Sequence, residues 1–293
     1  MIGQRQPVVV GLSGGLGNQM FQYAAGRSLA VRFGVPLVLD LAWFGGQPER
    51  QFALSPFRIE AVQHSQYPWL SPRGRALASR LSRRWLPRIM GISVWREPHF
   101  HFSSDFAALP GPVFLEGYWQ SERYFREIRS LLLQEFALRE SLPPVCAKFL
   151  EEIRECDAIC VHVRRGDYLS NPVAAKVHGT CSVDYYRTGV GELCQGLARP
   201  RCFIFSDDPA WVRASLAFDC PVTVVDVNGP EDAHLDLALM AACRHFLIAN
   251  SSLSWWGAWL GDHAGKKIIA PARWFLTSDK DTRDLLPESW QRR

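Results

Sequence analysis

The sequence lacks a long uninterrupted apolar segment. Near the carboxyl terminus, the longest stretch without Lys, Arg, Asp or Glu covers residues 245–261 and contains an asparagine and three serines. A membrane-spanning helix needs about 20 predominantly apolar residues, so we expect no transmembrane segment. No export signal is visible, because the short apolar run at residues 7–10 leads into glycine-rich sequence instead of a small-residue cleavage site. These features predict a cytoplasmic protein.

Metal-binding patterns are also missing. The eight cysteines are scattered, without a C-x-x-C pair and without the His/Cys spacing that holds zinc. We therefore expect reduced cysteines that lie mostly in the core. Asp207 and Asp208 are adjacent and so do not form a D-x-D pattern with each other. The sequence accordingly predicts no bound metal.

The charge is only mildly basic. A net charge of +4 and a pI near 8.7 suit an anionic ligand but fall short of the basic footprint of a nucleic-acid-binding protein. Of the 293 residues, 47% are hydrophobic and 21% charged, which is a globular composition. A chain of this length allows two medium-sized domains.

Alternating strand and helix patterns predict an α/β fold. Residues 7–12, a glycine-rich turn, a helix at about 18–33 and a strand at 35–40 form one βαβ unit. After residue 157 the same alternation recurs, with strands expected at 158–163, 202–206, 222–226, 245–249 and 267–269. The proline-rich break at residues 141–144 separates the two halves. We therefore predict two facing Rossmann-like domains, residues 1–142 and 143–293.

A basic insertion at about residues 61–96 interrupts the first half. It contains seven arginines and neither Asp nor Glu. Apolar and basic side chains recur there at helical spacing, namely Leu77, Leu81 and Trp85 against Arg80, Arg83 and Arg84. Such a helix can rest on an anionic membrane surface, or it can simply pack its three apolar residues on its own domain. The sequence leaves both interpretations open.

The first candidate site is the glycine-rich turn at residues 13–19. Glycine allows the backbone to approach a ligand closely, and free N–H groups at a helix start attract phosphate or sugar oxygens. The candidate binding residues are Gly15, Gly17, Asn18 and Gln19. Met20 breaks the G-x-G-x-x-G pattern of dinucleotide-binding proteins, which disfavours a nicotinamide or flavin cofactor. A tight turn without a ligand is the alternative.

Two further candidates follow predicted strands of the second half. Arg164 and Arg165 come directly after an apolar strand, where the carboxyl ends of parallel strands form a ligand crevice, and paired arginines there are well placed to hold a pyrophosphate. Asp207 and Asp208 follow the next strand, where either carboxylate can orient an arginine or a donor hydroxyl, or cap a helix.

The last candidate segment covers residues 250–259. Asn250, Ser251 and Ser252 lie between a strand and a helix, where hydroxyls and backbone N–H groups can cap the helix or bind phosphate oxygens. Trp255 and Trp259 favour core packing, since a Trp serves as a stacking platform only where its face is open.

Taken together, these segments resemble the bacterial α-1,2-fucosyltransferase family, glycosyltransferase family 11. The resemblance spans nearly the whole chain and rests on selective motifs in a fixed order, namely GGLGNQMFQYA, LEGYWQSERYF, HVRRGDY, FSDD and ANSSLSWWGAWL. It implies a GT-B fold, GDP-β-L-fucose as donor, inverting transfer without a metal, and a terminal galactose as acceptor. The basic insertion matches the family much less well.

The resemblance also implies roles for single residues. Arg164 occupies the position of the arginine that contacts the donor β-phosphate, which places His162 beside the nucleotide. Asp236 stands sixteen positions before Ser252, which is the spacing of the acidic residue that reads guanine and the serine that meets the phosphate.

Catalysis requires fixed positive charge at the departing phosphate, for which Arg164 and Arg165 are the candidates. Asp167 is a candidate for the base that takes the acceptor proton, but it can equally hold the arginines in place.

Several functions remain open at this point. The main expectation is transfer of L-fucose to the 2-hydroxyl of a galactose-containing oligosaccharide or lipid-linked glycan, without nucleic acid as a partner. Transfer to another hydroxyl or to a polypeptide is the competing enzyme activity. A non-catalytic glycan- or nucleotide-binding module is the alternative outside enzymes. The basic insertion adds possible peripheral contact with the inner membrane.

Overall fold

The computed structural model describes residues 6–47, 50–63, 93–109, 111 and 113–293. For residues 167, 170, 173 and 174 the structure describes the backbone but not the side chain. The chain consists of two compact units. Unit 1 comprises residues 1–137 and 281–285, and unit 2 comprises residues 138–280 and 286–293. Most of the basic insertion, including Arg80, Arg83 and Arg84, lies outside the described residues.

Unit 1 is built on a parallel sheet. Its elements are β1 (Val8–Gly11), α1 (Leu16–Phe33), β2 (Leu37–Asp40), β3 (Val62–Gln63), β4 (Ser93–Arg96), β5 (Val113–Glu116) and α2 (Arg129–Glu135). The strand order is β3-β2-β1-β5-β4, and all of these pairs are parallel. β1 and β2 are buried almost throughout, as expected for strands covered on both faces. β2 and β3 lie on one side of β1, and β5 and β4 lie on the other. The topological switch point is therefore between β1 and β5.

Unit 2 contains a second parallel sheet. Its elements are α3 (Pro144–Arg154), β6 (Asp157–Val163), α4 (Gly166–Ser170), α5 (Pro172–Val177), α6 (Val183–Cys194), β7 (Pro200–Ser206), α7 (Pro209–Ser215), β8 (Val222–Val225), α8 (Ala233–Ala242), β9 (His245–Leu247), α9 (Ser252–Leu260), β10 (Ile268–Ala270) and β11 (Gln291–Arg292). The strand order is β11-β10-β9-β6-β7-β8. The pairings are parallel.

The switch point of unit 2 lies between β6 and β9, because β7 and β8 extend the sheet to one side and β9 returns on the other. Ligands of open α/β sheets bind outside the carboxyl ends of the strands at such a point. The segments after β6 and β9 carry Arg164, Arg165 and residues 250–252, while Asp207 and Asp208 follow β7 and Asp236 follows β8. The fold thus brings the candidate motifs of unit 2 to one sheet edge.

The predicted alternation of strands and helices is confirmed. The strand predictions at 158–163, 202–206, 222–226, 245–249 and 267–269 each overlap an observed strand of unit 2. The first βαβ unit is present, with its helix beginning at Leu16. The chain is therefore of the expected α/β class. Within the described residues, no helix combines the length and apolar character that crossing a membrane requires.

The tryptophan-rich helix α9 lies in the core. Trp255, Trp256 and Trp259 are almost fully buried, and Trp255 stacks on Trp259 with ring centroids 6.0 Å apart. The packing expectation for Trp255 and Trp259 is confirmed. Close packing also explains Gly257, where an added Cβ would lie 2.9 Å from the Cβ of Met240.

Candidate functional site

Arg164 and Arg165 lie just after β6, at the switch point of unit 2. Each is held by a carboxylate from the segment after β7. The Nε of Arg164 lies 3.2 Å from Asp207 Oδ2, and the Nε of Arg165 lies 3.3 Å from Asp208 Oδ2. Both guanidinium side chains stay partly exposed, at 26% and 18%. Two oriented positive charges therefore border the crevice and remain accessible to an anion.

Asp207 also fixes the backbone after β6. The backbone N–H of Arg165 donates to Asp207 Oδ1 over 2.8 Å. The same carboxylate leaves no space for a side chain at Gly166, because an added Cβ would lie 2.9 Å from Asp207 Oδ2. This close approach explains the glycine of the R-R-G sequence. Asp207 therefore orients the arginine segment.

Asp208 combines both roles that its position suggested. Its Oδ1 accepts a hydrogen bond from the backbone N–H of Trp211 over 3.1 Å and thereby caps α7. Its Oδ2 contacts Arg165. The Arg165 guanidinium also lies 3.9 Å from the centre of the Trp211 ring, which is a favourable cation–π distance. Arg165 is thus held between a carboxylate and an aromatic face.

His162 is the buried neighbour of the arginine pair. It is 4% exposed on β6, and burial followed by the charge of Arg164 lowers its pKa to about 3. Its Nδ1 is buried without a hydrogen-bond partner in the described structure. His162 is therefore neutral at physiological pH and a weak proton acceptor. Asp167 lies in α4, and its side chain is outside the described features.

Ser251 and Ser252 lie at the start of α9, at the same carboxyl end of the sheet as Arg164 and Arg165. Ser251 is the N-cap residue, yet its side chain does not cap the helix. The first-turn N–H groups of a helix have no intrahelical partner, and such a terminus attracts phosphate oxygens. This arrangement can therefore hold an anion next to β6.

Asn250 has a different environment from its two neighbours. It is 3% exposed, and its amide nitrogen donates to the carbonyls of His178 and Trp274 over 2.9 and 3.1 Å. Its own carbonyl accepts from the Tyr168 hydroxyl over 3.0 Å. These contacts fasten three loops together, so the structure gives Asn250 a structural role that the motif alone did not reveal.

Asp236 lies in the first turn of α8, in the connection that follows β8. Its Oδ1 accepts a hydrogen bond from Asn228 Nδ2 over 2.7 Å, and Asn228 Oδ1 in turn accepts from the Cys146 thiol over 3.2 Å. Burial raises the pKa of Asp236 to about 6 despite this hydrogen bond. Asn228 was not among the sequence candidates, since a single asparagine after a short strand carries no pattern.

The glycine-rich turn of unit 1 is held by its own side chains. Gln19 is fully buried; its Nε2 donates to the carbonyls of Gly14 and Gln51, and its Oε1 accepts from the N–H of Ala53. Asn18 Oδ1 accepts from Gln120 Nε2 over 2.8 Å. Both predicted ligand residues therefore take part in fastening this turn.

Gly15 and Gly17 lie where α1 begins. Gly15 is the N-cap residue, without a side chain to cap the helix, and Gly17 is buried in the first turn. An added Cβ at Gly15 would lie 3.4 Å from Arg50 Nη1. Arg50 is a positively charged neighbour of the turn that the sequence analysis missed, because it is more than thirty residues away along the chain.

Glu97 is a second residue that the sequence analysis missed. It follows β4, and its two carboxylate oxygens accept from the backbone N–H groups of Tyr118 and Trp119 over 2.8 and 3.0 Å. Trp119 has a φ of 58°, a strained conformation for a bulky residue. The carbonyl of Gly117, two residues earlier, accepts a hydrogen bond from Gln22 Nε2. Glu97 thus fixes the strained turn after β5.

We predict a pH-dependent stability contribution from Glu97. Burial raises its pKa from 4.5 to about 7, so the folded state binds a proton more readily than the unfolded state. This contribution to the free energy of unfolding is fully present below pH 4.5 and is lost as the pH rises through about 7. Glu97→Gln should therefore gain about 2 kcal/mol relative to wild type between pH 5.5 and pH 8, measured by calorimetric unfolding.

The matched control for Glu97 is Glu116→Gln. Glu116 pairs with Arg96 in an exposed ion pair, with both side chains about half exposed, and such pairs contribute little. The stability of Glu116→Gln relative to wild type should change far less between about pH 5.5 and about pH 8. An equal change in both variants would contradict the assignment to the buried carboxyl.

The segment Asp279-Lys280-Asp281 is a D-x-D pattern that the sequence analysis overlooked. The carboxylate of Asp281 is engaged by Arg283, whose Nε donates to Oδ2 over 2.6 Å. Among the residues that the structure describes, no group of three or more His, Cys, Asp or Glu side chains could hold a metal ion. Metal-independent chemistry stays a prediction.

Comparison with known proteins agrees with the motifs. The family model for glycosyl transferase family 11 matches residues 2–288. An α-1,2-colitosyltransferase of Escherichia coli is 33% identical over 97% of this chain and 98% of its own length. A galactoside α-(1,2)-fucosyltransferase 2 of Sus scrofa is 26% identical over 94% of this chain and 75% of its own.

A solved structure shows the fold. A mutant of Arabidopsis thaliana FUT1 in complex with GDP superposes with a TM-score of 0.56 at 11% identity, over 99% of this chain and 76% of that one. The expected GT-B-like fold class is confirmed. The matches to the family model and to the colitosyltransferase cover nearly the whole chain, and the protein belongs to glycosyl transferase family 11.

Proposed function

We propose that the protein transfers L-fucose from GDP-β-L-fucose to the 2-hydroxyl of a galactose-containing glycan, with inversion at the anomeric carbon. The observation that carries this proposal is the pair Arg164 and Arg165, oriented by Asp207 and Asp208 at the switch point of unit 2. Breaking the fucose–phosphate bond leaves extra negative charge on the β-phosphate of GDP. Fixed donors aimed at that phosphate stabilise the transition state more than the ground state.

Unit 2 is the proposed donor-binding unit. The start of α9, with Ser251 and Ser252, supplies further N–H and hydroxyl donors for phosphate oxygens. Asp236 is proposed to accept hydrogen bonds from the guanine N1–H and 2-amino groups. His162 lies on β6, directly before the arginine pair, and is proposed to border the nucleotide as a neutral ring.

Unit 1 is the proposed acceptor-binding unit. Its glycine-rich turn and the strained turn at Trp119 both follow strands that flank its switch point. Gly15 permits close backbone approach of a sugar, while Asn18 and Gln19 keep the turn in shape. Asp167 remains the proposed candidate for the base that takes the acceptor proton.

The experiment is a donor and acceptor screen with purified protein. GDP-fucose and GDP-colitose are offered with lactose, and the product is identified by NMR. Colitose is L-fucose without its 3-hydroxyl, and a site that hydrogen-bonds this hydroxyl discriminates strongly against a donor that lacks it. An α-1,2-linked fucosyl product supports the proposal. Preferential use of GDP-colitose would indicate transfer of colitose, the sugar in the name of the Escherichia coli relative, and would contradict fucose as the transferred sugar.

Activity should persist in EDTA. The arginine pair can neutralise the leaving phosphate without a divalent cation, and the described residues include no metal-binding cluster. We expect the initial rate with excess EDTA to stay within about twofold of the untreated rate. Loss of most activity on chelation, followed by recovery with Mg²⁺ or Mn²⁺, would contradict this prediction.

The basic insertion is proposed to give weak attachment to anionic membranes. Lysines and arginines near an anionic surface each contribute about 1 kcal/mol, and salt screens this attraction. Wild-type protein should therefore sediment with phosphatidylglycerol vesicles at low salt. Replacement of Arg80, Arg83 and Arg84 by alanine should reduce the bound fraction. An unchanged bound fraction in the triple variant would rule out this role.

A further inference from the structure

Three thiols of unit 2 meet at the amino end of β7, which is the sheet edge opposite the arginine pair. Cys202 is the third residue of β7 and is fully buried, whereas Cys220 precedes β8 and is partly exposed. Their Sγ atoms lie 3.4 Å apart. Cys194, the last residue of α6, packs on the same core. All eight cysteines are free thiols in this structure.

Backbone hydrogen bonding links the chain segments that carry Cys202 and Cys220. The N–H of Cys202 donates to the carbonyl of Pro221 over 2.8 Å, and β7 pairs in parallel with β8, with Cys202 opposite Val222. The backbone of Cys202 is therefore tied to the residue directly after Cys220. The sheet therefore holds the backbones of the two cysteines close together.

The two thiols differ in reactivity. Cys220 is the more exposed of the two thiols, and a hydrogen bond from Cys202, opposed by partial burial and supported by a hydrogen bond from Cys194, lowers its pKa. The hydrogen bond from Cys202 to Cys220, together with burial, raises the pKa of Cys202. The thiolate is the reactive form of cysteine, so Cys220 is the nucleophile of the pair. By contrast, burial raises the pKa of the partly exposed Cys156.

We propose that Cys202 and Cys220 form a reversible dithiol–disulfide pair that responds to peroxide-class oxidants. The Cys220 thiolate attacks one oxygen of hydrogen peroxide, the O–O bond breaks, and a sulfenic acid and hydroxide form. The Cys202 thiol then attacks the Cys220 sulfur, a disulfide forms and water leaves. Overall, two thiols lose two electrons and two protons, and one hydrogen peroxide becomes two waters. A low-molecular-weight thiol reverses the reaction by exchange.

The geometry requires little movement for this reaction. A disulfide has an S–S length of about 2.05 Å, so two sulfurs at 3.4 Å must approach by roughly 1.3 Å. The bridge closes the segment 202–220, which contains α7 and the aspartates that orient the arginine pair. Oxidation therefore restrains the same crossover that supports the candidate site. The bridge itself does not depend on the proposed function.

The test uses the full chain treated with a small excess of hydrogen peroxide, followed by intact mass and peptide mapping. We expect a loss of about 2 Da, a cross-link between the peptides of Cys202 and Cys220, and recovery with dithiothreitol. Cys194→Ser should retain the cross-link, whereas the double variant Cys194→Ser/Cys202→Ser, which also lacks the Cys194 thiol next to Cys220, should instead leave Cys220 as a sulfenic acid that dimedone traps. A cross-link from Cys220 to Cys194, or irreversible oxidation of Cys220 in wild type, would overturn the proposal.

An internal control compares two partly exposed thiols in one molecule. Under limiting iodoacetamide at pH 7, Cys220 should be alkylated at least about tenfold faster than Cys156, because reactivity follows the thiolate fraction. Equal rates at the two positions would also overturn the proposal, since Cys220 would then have no activated thiolate. Both readouts are independent of transferase activity.

Discussion

Arg164→Lys is expected to lower kcat/KM for the donor by about a hundredfold or more, in the range found when one fixed donor to a developing charge is removed. Lysine keeps the positive charge but loses the planar, two-pronged donor geometry that matches phosphate oxygens. Lysine has a single terminal nitrogen. It therefore cannot contact Asp207 as the Arg164 Nε does and at the same time present a separate nitrogen donor to a ligand. The measurement is steady-state kinetics with saturating acceptor.

The control for Arg164 is Arg213→Lys. Arg213 is an exposed arginine of α7 that forms an ion pair with Asp226, and its side chain is 52% exposed. The same chemical change there should leave kcat/KM within about twofold, as for a typical exposed ion pair. Near-normal kcat/KM in Arg164→Lys would show that Arg164 is peripheral to the chemistry, whatever Arg213→Lys does.

A second variant separates charge orientation from charge itself. Asp207→Asn keeps the size of the side chain and one oxygen acceptor for the N–H of Arg165, but it removes the negative charge beside Arg164. If Asp207 orients Arg164, kcat should fall while the protein retains its fold. The variant thus tests whether the arrangement of the pair, and not only its presence, supports turnover.

Much of the sheet architecture follows from local sequence. The buried strand β6 is apolar except for Asp157 and His162, and a helix follows the glycine-rich turn after β1, so the hydrophobic pattern and glycine placement are sufficient to predict both. β3 and β11 each contain only two residues. Such short strands are specified by their neighbours in the sheet, and no local pattern predicts them.

Side-chain partners are much harder to predict. The Arg164–Asp207 contact joins positions more than forty residues apart and depends on β6 and β7 pairing in register, with Val163 opposite Ser206. From the sequence alone, Asp207 is only one of two candidates for orienting an arginine. The hydrogen bonds of the buried Asn250 and of the Glu97 carboxylate depend in the same way on loops that come together only in the folded chain.

Asp236→Asn is expected to weaken GDP binding while it stabilises the fold. The proposed carboxylate bridges two parallel donors of guanine, and its removal leaves those donors unpaired at a cost of roughly 1–3 kcal/mol. The affinity for GDP should therefore fall by about tenfold or more. Calorimetric titration of GDP at pH 7.5 measures this loss.

The stability of the same variant should change in the opposite direction. Burial raises the pKa of Asp236 from 3.8 to about 6, so the ionised carboxyl is less stable in the folded chain than in the unfolded one. At pH 7.5 this costs on the order of 2–3 kcal/mol, and the cost diminishes as the pH falls through about 6 toward 3.8. Asparagine can keep an oxygen acceptor for Asn228 without the charge, so thermal unfolding should occur at a higher temperature.

This combination distinguishes a ligand-reading carboxylate from a structural one. A residue that only supports the helix would lower stability when replaced and leave GDP affinity unchanged, whereas a binding residue is often destabilising in the free protein. In wild type, GDP affinity should also decline below about pH 6 because the carboxyl becomes protonated, and Asp236→Asn should lose the part of this pH dependence that the carboxyl contributes beside the titration of the GDP phosphate.

Glu231→Gln removes an exposed charge from the preceding turn and should change neither affinity nor stability appreciably. Unchanged GDP affinity in Asp236→Asn would eliminate the guanine-reading role and leave base recognition to other groups of unit 2.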